Sequence, residues 1–259
     1  MTRAGSLESL LQAAQECAEL AGSIALSHYR THVIVEWKGD GSPVTVADRG
    51  AEEAMRKWIR ERFPLDGILG EEFGEQAGSS GRRWVIDPID GTKSFVRGVP
   101  LWGSLVAVVE DGTVLAGAAC FPALDETISA ATGCGSWHNR SRAHVSSVAN
   151  LREATVLVSD ARFFPSPPGH DRWERLSAAA AVSRTWGDAF GYLMVATGRA
   201  EVMVDPVVNA WDIACFLPII EEAGGVFTDF HGVVTAFGGH SIATNAALAA
   251  ESRKILCST

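Results

Sequence analysis

The sequence lacks any long uninterrupted hydrophobic run. Its most apolar stretches, residues 101–109 and 114–121, are separated by a charged turn, and neither approaches the roughly 18 apolar residues that a membrane-spanning helix needs. Glutamates also interrupt the N-terminal segment, where a secretory signal would carry a continuous apolar core. We therefore expect a protein with no membrane segment and a cytoplasmic location.

Paired cysteines, histidine motifs and an excess of basic residues are also missing. The five cysteines are an odd number without a C-x-x-C pair, which predicts reduced thiols rather than a disulfide framework or a zinc site. The seven histidines form no H-x-H or H-E-x-x-H pattern. A net charge of −9 argues against a nucleic-acid surface, because binding to a phosphate backbone needs clustered Lys and Arg. Small cationic or metal-bridged ligands fit this composition better.

The chain does contain enough apolar material for a large core, since 47% of its 259 residues are hydrophobic. Apolar residues at spacings of three and four predict an N-terminal helix capped by Ser6 and a second helix that ends near Pro64. Strand patterns fill the rest of the first half, whereas strands and helices alternate in the second, which includes one helix over 211–225 closed by glycine. We therefore predict two halves, 1–149 with an antiparallel sheet flanked by two helices and 150–259 with mixed α/β layers.

Acidic residues occur where the predicted strands and helices meet loops. Glu71 follows a short apolar strand, Asp87 ends the next strand, Asp90 begins a turn, and Asp212 opens a helix far downstream. Because strand ends of one sheet can converge at one edge, the first three are candidates for a shared pocket. Carboxylates that lie so close together repel one another unless they take up protons or hold cations. With no histidine or thiolate nearby in the sequence, such an all-oxygen site favours Mg²⁺ over zinc or copper.

The segment D-P-I-D-G-T at 87–92 also carries a candidate anion site. Asp90-Gly91-Thr92 has the pattern of an N-cap entering a short helix, and the amides of Gly91 and Thr92 at that helix start would offer N–H groups to an anion. Metal ions beside an anion-binding helix end describe a phosphate site. Asp-Gly is also among the commonest turn pairs, so the segment taken alone fits a surface turn about as well as a catalytic site.

Three motifs together resemble the inositol monophosphatase family of Mg²⁺-dependent phosphatases. They are G-E-E at 70–72, D-P-I-D-G-T-K-S-F at 87–95 and W-D-I-A…E-E-A-G-G at 211–225, in the order and approximate spacing of that family. The resemblance covers most of the chain. With the two halves predicted above, the expected fold class is α/β, a layered αβαβα sandwich. The family also implies two or three bound Mg²⁺ ions. Their expected ligands are Glu71, Asp87, the carbonyl of Ile89, Asp90 and Asp212.

The same resemblance implies roles for residues around the metal ions. Asp48 would act with Thr92 to orient and deprotonate the attacking water, and Lys38 would reach the phosphate. The residues expected to contact the organic part of the substrate are Arg184, Asp188 and Asp205. Water would attack phosphorus directly, since no serine or cysteine nucleophile has an identifiable histidine-based arrangement. A homodimer and inhibition by lithium are further expectations from the family.

The choice of substrate depends on weaker signals. No basic cluster is evident to hold a second phosphate, which favours a small phosphorylated metabolite with one phosphate group. Residues 91–112 look closer to bacterial histidinol-phosphatases of the family than to inositol enzymes, and the ammonium and imidazole of L-histidinol phosphate suit acidic partners such as Asp188 and Asp205. We therefore expect a histidinol-phosphate phosphatase of histidine biosynthesis. The alternatives are a broad-specificity inositol-1-phosphatase and a non-catalytic metal- and phosphate-binding protein of the same fold.

Overall fold

The structure is a computed structural model that describes residues 6–32, 34–37, 39, 43–164 and 169–257. The α-helices of these ranges are α1 (Leu7–His28), α2 (Val46–Arg62), α3 (Thr92–Phe95), α4 (Gly169–Ala179), α5 (Asp188–Ala196), α6 (Ala210–Ile213), α7 (Phe216–Glu222) and α8 (Ala249–Cys257). Short 3₁₀ helices cover Leu151–Glu153 and Ala161–Phe163.

The strands of the first half are β1 (Val35–Trp37), β2 (Pro43–Thr45), β3 (Gly67–Gly70), β4 (Gly74–Gln76), β5 (Arg82–Asp90), β6 (Gly103–Glu110), β7 (Thr113–Phe121), β8 (Glu126–Ala131), β9 (Gly135–His138) and β10 (Ser141–Arg142). Those of the second half are β11 (Thr155–Val158), β12 (Val182–Arg184), β13 (Val202–Asp205), β14 (Gly225–Thr228) and β15 (Ser241–Asn245).

The first sheet has eight strands in the order β10-β9-β8-β7-β6-β5-β3-β4. Its neighbouring strands are antiparallel, as expected, except for β3 and β5, which run parallel. The parallel pair arises because β4 returns on the outer side of β3, and the chain then re-enters the sheet on the inner side in the original direction. The carboxyl ends of β3 and β5 therefore meet at one edge, a consequence that the expected antiparallel sheet does not have.

The second sheet is mixed, as expected, with the order β12-β11-β13-β15-β14. β11 runs parallel to both of its neighbours, and the remaining pairs are antiparallel. A separate antiparallel pair, β1 and β2, leads into α2.

Successive residues of the central strands belong to different hydrophobic cores. Trp84 and Ile86 of β5 pack with α1 and α2, whereas Val85 between them joins a middle core with α5, α6 and α7. Leu157 of β11 joins the same middle core, while Val156 packs with α4 and α8 on the other face of the second sheet. This alternation buries both faces of both sheets. The resulting five layers confirm the αβαβα sandwich. The middle core contains residues from both halves of the chain, so the boundary at residue 149 stays a prediction.

The single helix predicted over 211–225 is instead two short helices, α6 and α7. Pro218 has no N–H to donate to the carbonyl of Ala214, so the hydrogen-bond ladder of one continuous helix cannot form there. The glycine stop is confirmed: Gly224 has a left-handed φ of 86° directly before β14. Asp212 consequently lies in the first turn of its own four-residue helix.

Two structural findings bear on the expectations from composition. All five cysteines are free, and three of them are buried. Within the described ranges, no helix combines the length and the apolar character that crossing a membrane requires.

Candidate active site

Glu71 and Asp87 come together through the parallel pairing of β3 with β5. Glu71 is the first residue after β3, and both carboxyl groups line one cleft of about 350 Å³. Burial raises the pKa of Asp87 most, and a side-chain hydrogen bond between Glu71 and Asp87 adds to that shift. Convergence of these strand ends, which the sequence suggested, thus rests on the one parallel pair of the sheet.

Asp87 and Asp90 lie three positions apart on β5, yet both line this cleft. Residues i and i+3 of a regular strand face opposite sides. The pairing of β5 with β6 shifts register between them, and such an irregularity turns the chain so that both carboxylates point the same way. The N–H of Ile89 donates to Oδ1 of Asp87 at 2.9 Å across this irregular segment.

Asp90 does not cap α3, contrary to the expectation from the sequence. It is the last residue of β5, and Gly91 is the N-cap, with a left-handed φ of 81°. Glycine adopts this conformation without the steric cost that a side chain adds. Instead, Asp90 Oδ2 accepts the N–H of Ala189 at 2.5 Å, and this hydrogen bond connects the end of β5 to the start of α5.

Asp48 and Asp212 occupy equivalent positions at the starts of α2 and α6. Each is the third residue of its helix in a capping box, in which the side chain reaches back to the N-cap amide. Oδ2 of Asp48 accepts the N–H of Thr45, and Oδ2 of Asp212 accepts the N–H of Asn209, both at 2.8 Å. One oxygen of each carboxylate is committed to its own helix. The other oxygen of Asp48 lies beside the Thr92 hydroxyl, whereas Asp212 lines the cleft.

Asp87, Asp90 and Asp212 form a compact acidic cluster, in which one oxygen from each lies within 4.8 Å of the other two. Glu71 and Ile89 line the same cleft. Carboxylate and carbonyl oxygens are the ligands that hard divalent cations prefer, and no histidine or cysteine lines this part of the described cleft. The donor set therefore fits Mg²⁺.

Burial and mutual repulsion raise the pKa values of the cluster. The pKa of Asp87 lies well above its usual range because of burial first and then of the charges of Glu71, Asp90 and Asp212. Burial, followed by the charges of Asp188 and Asp212, does the same to the pKa of Asp90. Burial also raises the pKa of Asp212 to about 7, against the hydrogen bond from the Asn209 amide. A bound cation would remove the cost of ionising these groups, so metal binding would displace protons from them.

Thr92 and Asp48 meet beside this cluster. The Thr92 hydroxyl donates to the carbonyl of Ile89 at 2.9 Å and lies 3.4 Å from Oδ1 of Asp48. Its single hydrogen serves one acceptor at a time, so the hydroxyl has two alternative partners. Burial raises the pKa of Asp48, although hydrogen bonds from Thr45 act in the opposite direction. The structure thus brings together the two residues expected to activate water, whereas Lys38 lies outside the described residues.

The cleft that contains the acidic cluster is called the metal-side cleft below. A smaller recess of about 90 Å³ adjoins it and shares Asp90 and Asp212 with it. Its other acidic side chains are Asp188 and Asp205, the two aspartates expected to contact substrate. Asp205 is only 3% exposed, and its carboxylate accepts the Tyr192 hydroxyl at 2.6 Å and bonds to Ser159. Burial raises the pKa of Asp205 to about 6, against these hydrogen bonds. Protein groups therefore already occupy much of the bonding capacity of Asp205.

Asp188 is placed differently in the recess. It has a left-handed φ of 51° at the start of α5, where its N–H donates to Oγ of Ser159 at 2.7 Å. Burial raises the pKa of the Asp188 carboxyl, and the nearby ammonium of Lys93 opposes that shift. Arg184 lies on the exposed edge strand β12 and does not line either described part of the cleft, so the geometry offers no support for its expected substrate contact.

The residues that position the site residues through hydrogen bonds were not identified from the sequence. The buried Glu52 carboxylate accepts the N–H groups of Glu72 at 2.7 Å and Phe73 at 3.2 Å, which fixes the turn after Glu71. Glu52 also pairs with Arg56 one helical turn later, and this charged pair on the buried face of α2 was a readable signal. The N-x-x-D spacing before Asp212 was another such signal. Ser159 and Tyr192 carry no comparable pattern in the sequence.

Comparison with known proteins agrees with this arrangement. A family model described as "Inositol monophosphatase family" matches residues 6–258. The chain belongs to this family. It is 43% identical to a histidinol-phosphatase of Chlorobaculum parvum over 90% of each chain, and 40% identical to a histidinol-phosphatase of Mycobacterium tuberculosis over 83% of this chain and 84% of the relative. A solved structure of a Thermotoga maritima IMPase superposes with a TM-score of 0.85 at 34% identity, covering 93% of this chain and 94% of the other.

These findings confirm the family and the fold that the sequence motifs predicted. They also confirm the expected reaction class, a phosphoric monoester hydrolase. The roles of the individual site residues stay predictions, and they enter the proposal below.

Proposed function

We propose that this protein is a Mg²⁺-dependent phosphatase that hydrolyses L-histidinol phosphate by direct attack of water on phosphorus. The observation that carries the proposal is the cluster of Asp87, Asp90 and Asp212 oxygens within 4.8 Å of one another. Thr92 lines the same cleft, and its hydroxyl lies 3.4 Å from the buried carboxylate of Asp48. A cluster of buried carboxylates needs cations to be fully ionised, and a phosphate ester is a ligand that such cations bind.

The metal ligands in this proposal are the cluster carboxylates, Glu71 and the carbonyl of Ile89. Bound Mg²⁺ lowers the pKa of a coordinated water and neutralises negative charge on the leaving oxygen. The chain supplies Asp48 to accept the proton of the attacking water and Thr92 to orient that water through its hydroxyl. A raised pKa makes Asp48 a better base than an ordinary exposed aspartate. The amides of Gly91 and Thr92 would bind phosphate oxygens at the start of α3.

The substrate assignment rests on the acidic recess and on the similarity to two histidinol-phosphatases. Asp188 lines the recess and would pair with the substrate ammonium. Asp205, held by Tyr192 and Ser159, would keep the recess negative and well ordered. The second candidate is an inositol monophosphatase, which the similarity to the Thermotoga maritima IMPase favours. Inhibition by lithium and a homodimeric state belong to the same proposal and rest on the family alone.

The experiment that separates the two substrates is a comparison of kcat/KM for L-histidinol phosphate and myo-inositol 1-phosphate at saturating Mg²⁺. We expect histidinol phosphate to be preferred by about tenfold or more, which corresponds to about 1.4 kcal/mol, or one charge-assisted contact. Asp188→Asn should narrow this preference, because it weakens binding of the cation more than binding of a neutral polyol. Asparagine also tolerates the left-handed backbone of this position.

Asp111 provides a matched control, since it too is left-handed, with a φ of 50°, but lies in the exposed β6–β7 turn. Asp111→Asn should leave the preference unchanged. Equal hydrolysis of both esters by the wild-type enzyme would exclude the histidinol-phosphate assignment and leave the metal-dependent monophosphatase.

A further inference from the structure

Two consecutive phenylalanines after β11 have opposite surroundings. Phe164 is 4% exposed and stacks on Trp173 in the core beside α4, with ring centroids 5.7 Å apart. Phe163 is 47% exposed and lines both the metal-side cleft and the acidic recess. An exposed aromatic ring where two parts of one cleft join is placed to contact whatever fills both parts.

The backbone that presents Phe163 is fixed by local hydrogen bonds. Asp160 caps the 3₁₀ helix Ala161–Phe163, with its carboxylate accepting the N–H of Arg162 at 3.0 Å and its carbonyl accepting the N–H of Phe163 at 3.1 Å. The Arg162 guanidinium also pairs with Asp160, and its side chain is 88% exposed. Arg162 is thereby kept in solvent while the next residue faces the cleft.

The surroundings of Phe163 indicate which part of a substrate its ring would contact. Lys93 Nζ lies 5.8 Å from the ring centroid, so a protein cation already lies near the ring. A substrate ammonium has a stronger partner in the carboxylate of Asp188. An imidazole, by contrast, packs well against a phenyl ring in offset or edge-to-face geometry. A polyol would place hydroxyl groups against a surface that cannot hydrogen-bond them.

We infer that Phe163 is a specificity residue that packs against the aromatic part of the leaving alcohol, the imidazole of L-histidinol phosphate. This inference rests on the proposed function and adds a contact that selects planar aromatic alcohols over polyols. The phosphate would lie on the metal side, the ammonium at Asp188, and the imidazole against Phe163 at the junction.

The test is the kcat/KM of Phe163→Leu for L-histidinol phosphate and for myo-inositol 1-phosphate. Leucine keeps an apolar side chain and removes the aromatic face. Position 163 is 47% exposed, and the second substrate reports the amount of active enzyme, so a folding defect would lower both kcat/KM values together. We expect kcat/KM for histidinol phosphate to fall about three- to tenfold, mainly through KM, and that for inositol phosphate to change less than about twofold. Phe163→Tyr should keep the wild-type preference.

Phe237 is the matched control, because it is 41% exposed and belongs to the segment between β14 and β15 rather than to the lining of the cleft. Phe237→Leu should leave both substrates unaffected. An unchanged preference in Phe163→Leu, or an equal loss for both esters, overturns the inference while the proposed function stands. A wild-type enzyme that does not turn over histidinol phosphate overturns both.

Discussion

Replacing Asp87 by asparagine should stabilise the metal-free protein while it destroys activity. Asp87 lies within 4.8 Å of the oxygens of Asp90 and Asp212, and two unit charges at that distance repel by about 3 kcal/mol at an effective dielectric constant near 20. Burial and, after it, this repulsion raise the pKa values of Asp87 and Asp90, so proton binding relieves part of the cost of keeping the cluster charged. We therefore expect Asp87→Asn to raise the free energy of unfolding at about pH 8 by roughly 1–3 kcal/mol without metal.

Asparagine is the suitable replacement because its Oδ1 still accepts the N–H of Ile89 and its amide can donate to Glu71. For a chain of this size, 1–3 kcal/mol corresponds to a rise in melting temperature of roughly 2–10 °C. Thermal unfolding followed by circular dichroism, in EDTA and in saturating Mg²⁺, measures the effect. With Mg²⁺ the variant should lose its advantage, and turnover should fall by orders of magnitude. A variant that melts below the wild type in EDTA would show that repulsion does not dominate the cluster.

Two further predictions concern the base and the titration of the cluster. Thr92→Val should lower kcat by about a hundredfold or more with little change in KM, since it removes the hydroxyl beside Asp48. Thr92→Ser keeps a hydroxyl and should retain much of the activity. A wild-type kcat in Thr92→Val would show that the hydroxyl has no part in the mechanism. In the metal-free protein, the pKa of Asp212, raised to about 7, means that the folded state binds a proton which the unfolded chain has released. This contribution to stability is present below about pH 4 and is lost as the pH rises towards 7. The free energy of unfolding of the wild type should therefore decline between about pH 4 and 8, and Asp212→Asn should make that decline less steep. Urea titrations in EDTA measure it. An equally steep decline in the variant would place the titration elsewhere.

Much of the fold was predictable because its strands and helices follow strong patterns. The alternation through Trp84, Val85 and Ile86 shows a strand buried on both faces, and the amphipathic spacing of α1 and α2 is regular. The parallel pairing of β3 with β5 was not readable, since it depends on which side of β3 the hairpin partner β4 occupies. The break between α6 and α7 was signalled by Pro218, but the strong apolar pattern around it favoured a single helix.

Some residues of the candidate site were likewise predictable from the sequence, and others were not. Glu71, Asp87 and Asp90 were readable as carboxylates at strand ends, and the structure places them in one cleft. Asp48 entered only through the family resemblance, because no local pattern shows that the start of α2 meets Thr92, 44 positions further along the chain. Phe163 and Phe164 are identical in type and adjacent in sequence, and only the tertiary structure separates a core residue from a cleft residue. Asp205 was predicted to contact substrate, and it does line the recess, but its carboxylate already accepts the Tyr192 hydroxyl, a contact that the sequence does not reveal.

The most direct test of the central claim is phosphate release from L-histidinol phosphate by protein stripped of metal with EDTA and then titrated with Mg²⁺. We predict no measurable turnover in the stripped protein and full recovery as Mg²⁺ is added, because Asp87, Asp90 and Asp212 form an all-oxygen site. Zn²⁺ alone should not restore the activity. Sustained hydrolysis after complete removal of metal, or recovery with Zn²⁺ but not with Mg²⁺, would contradict the account.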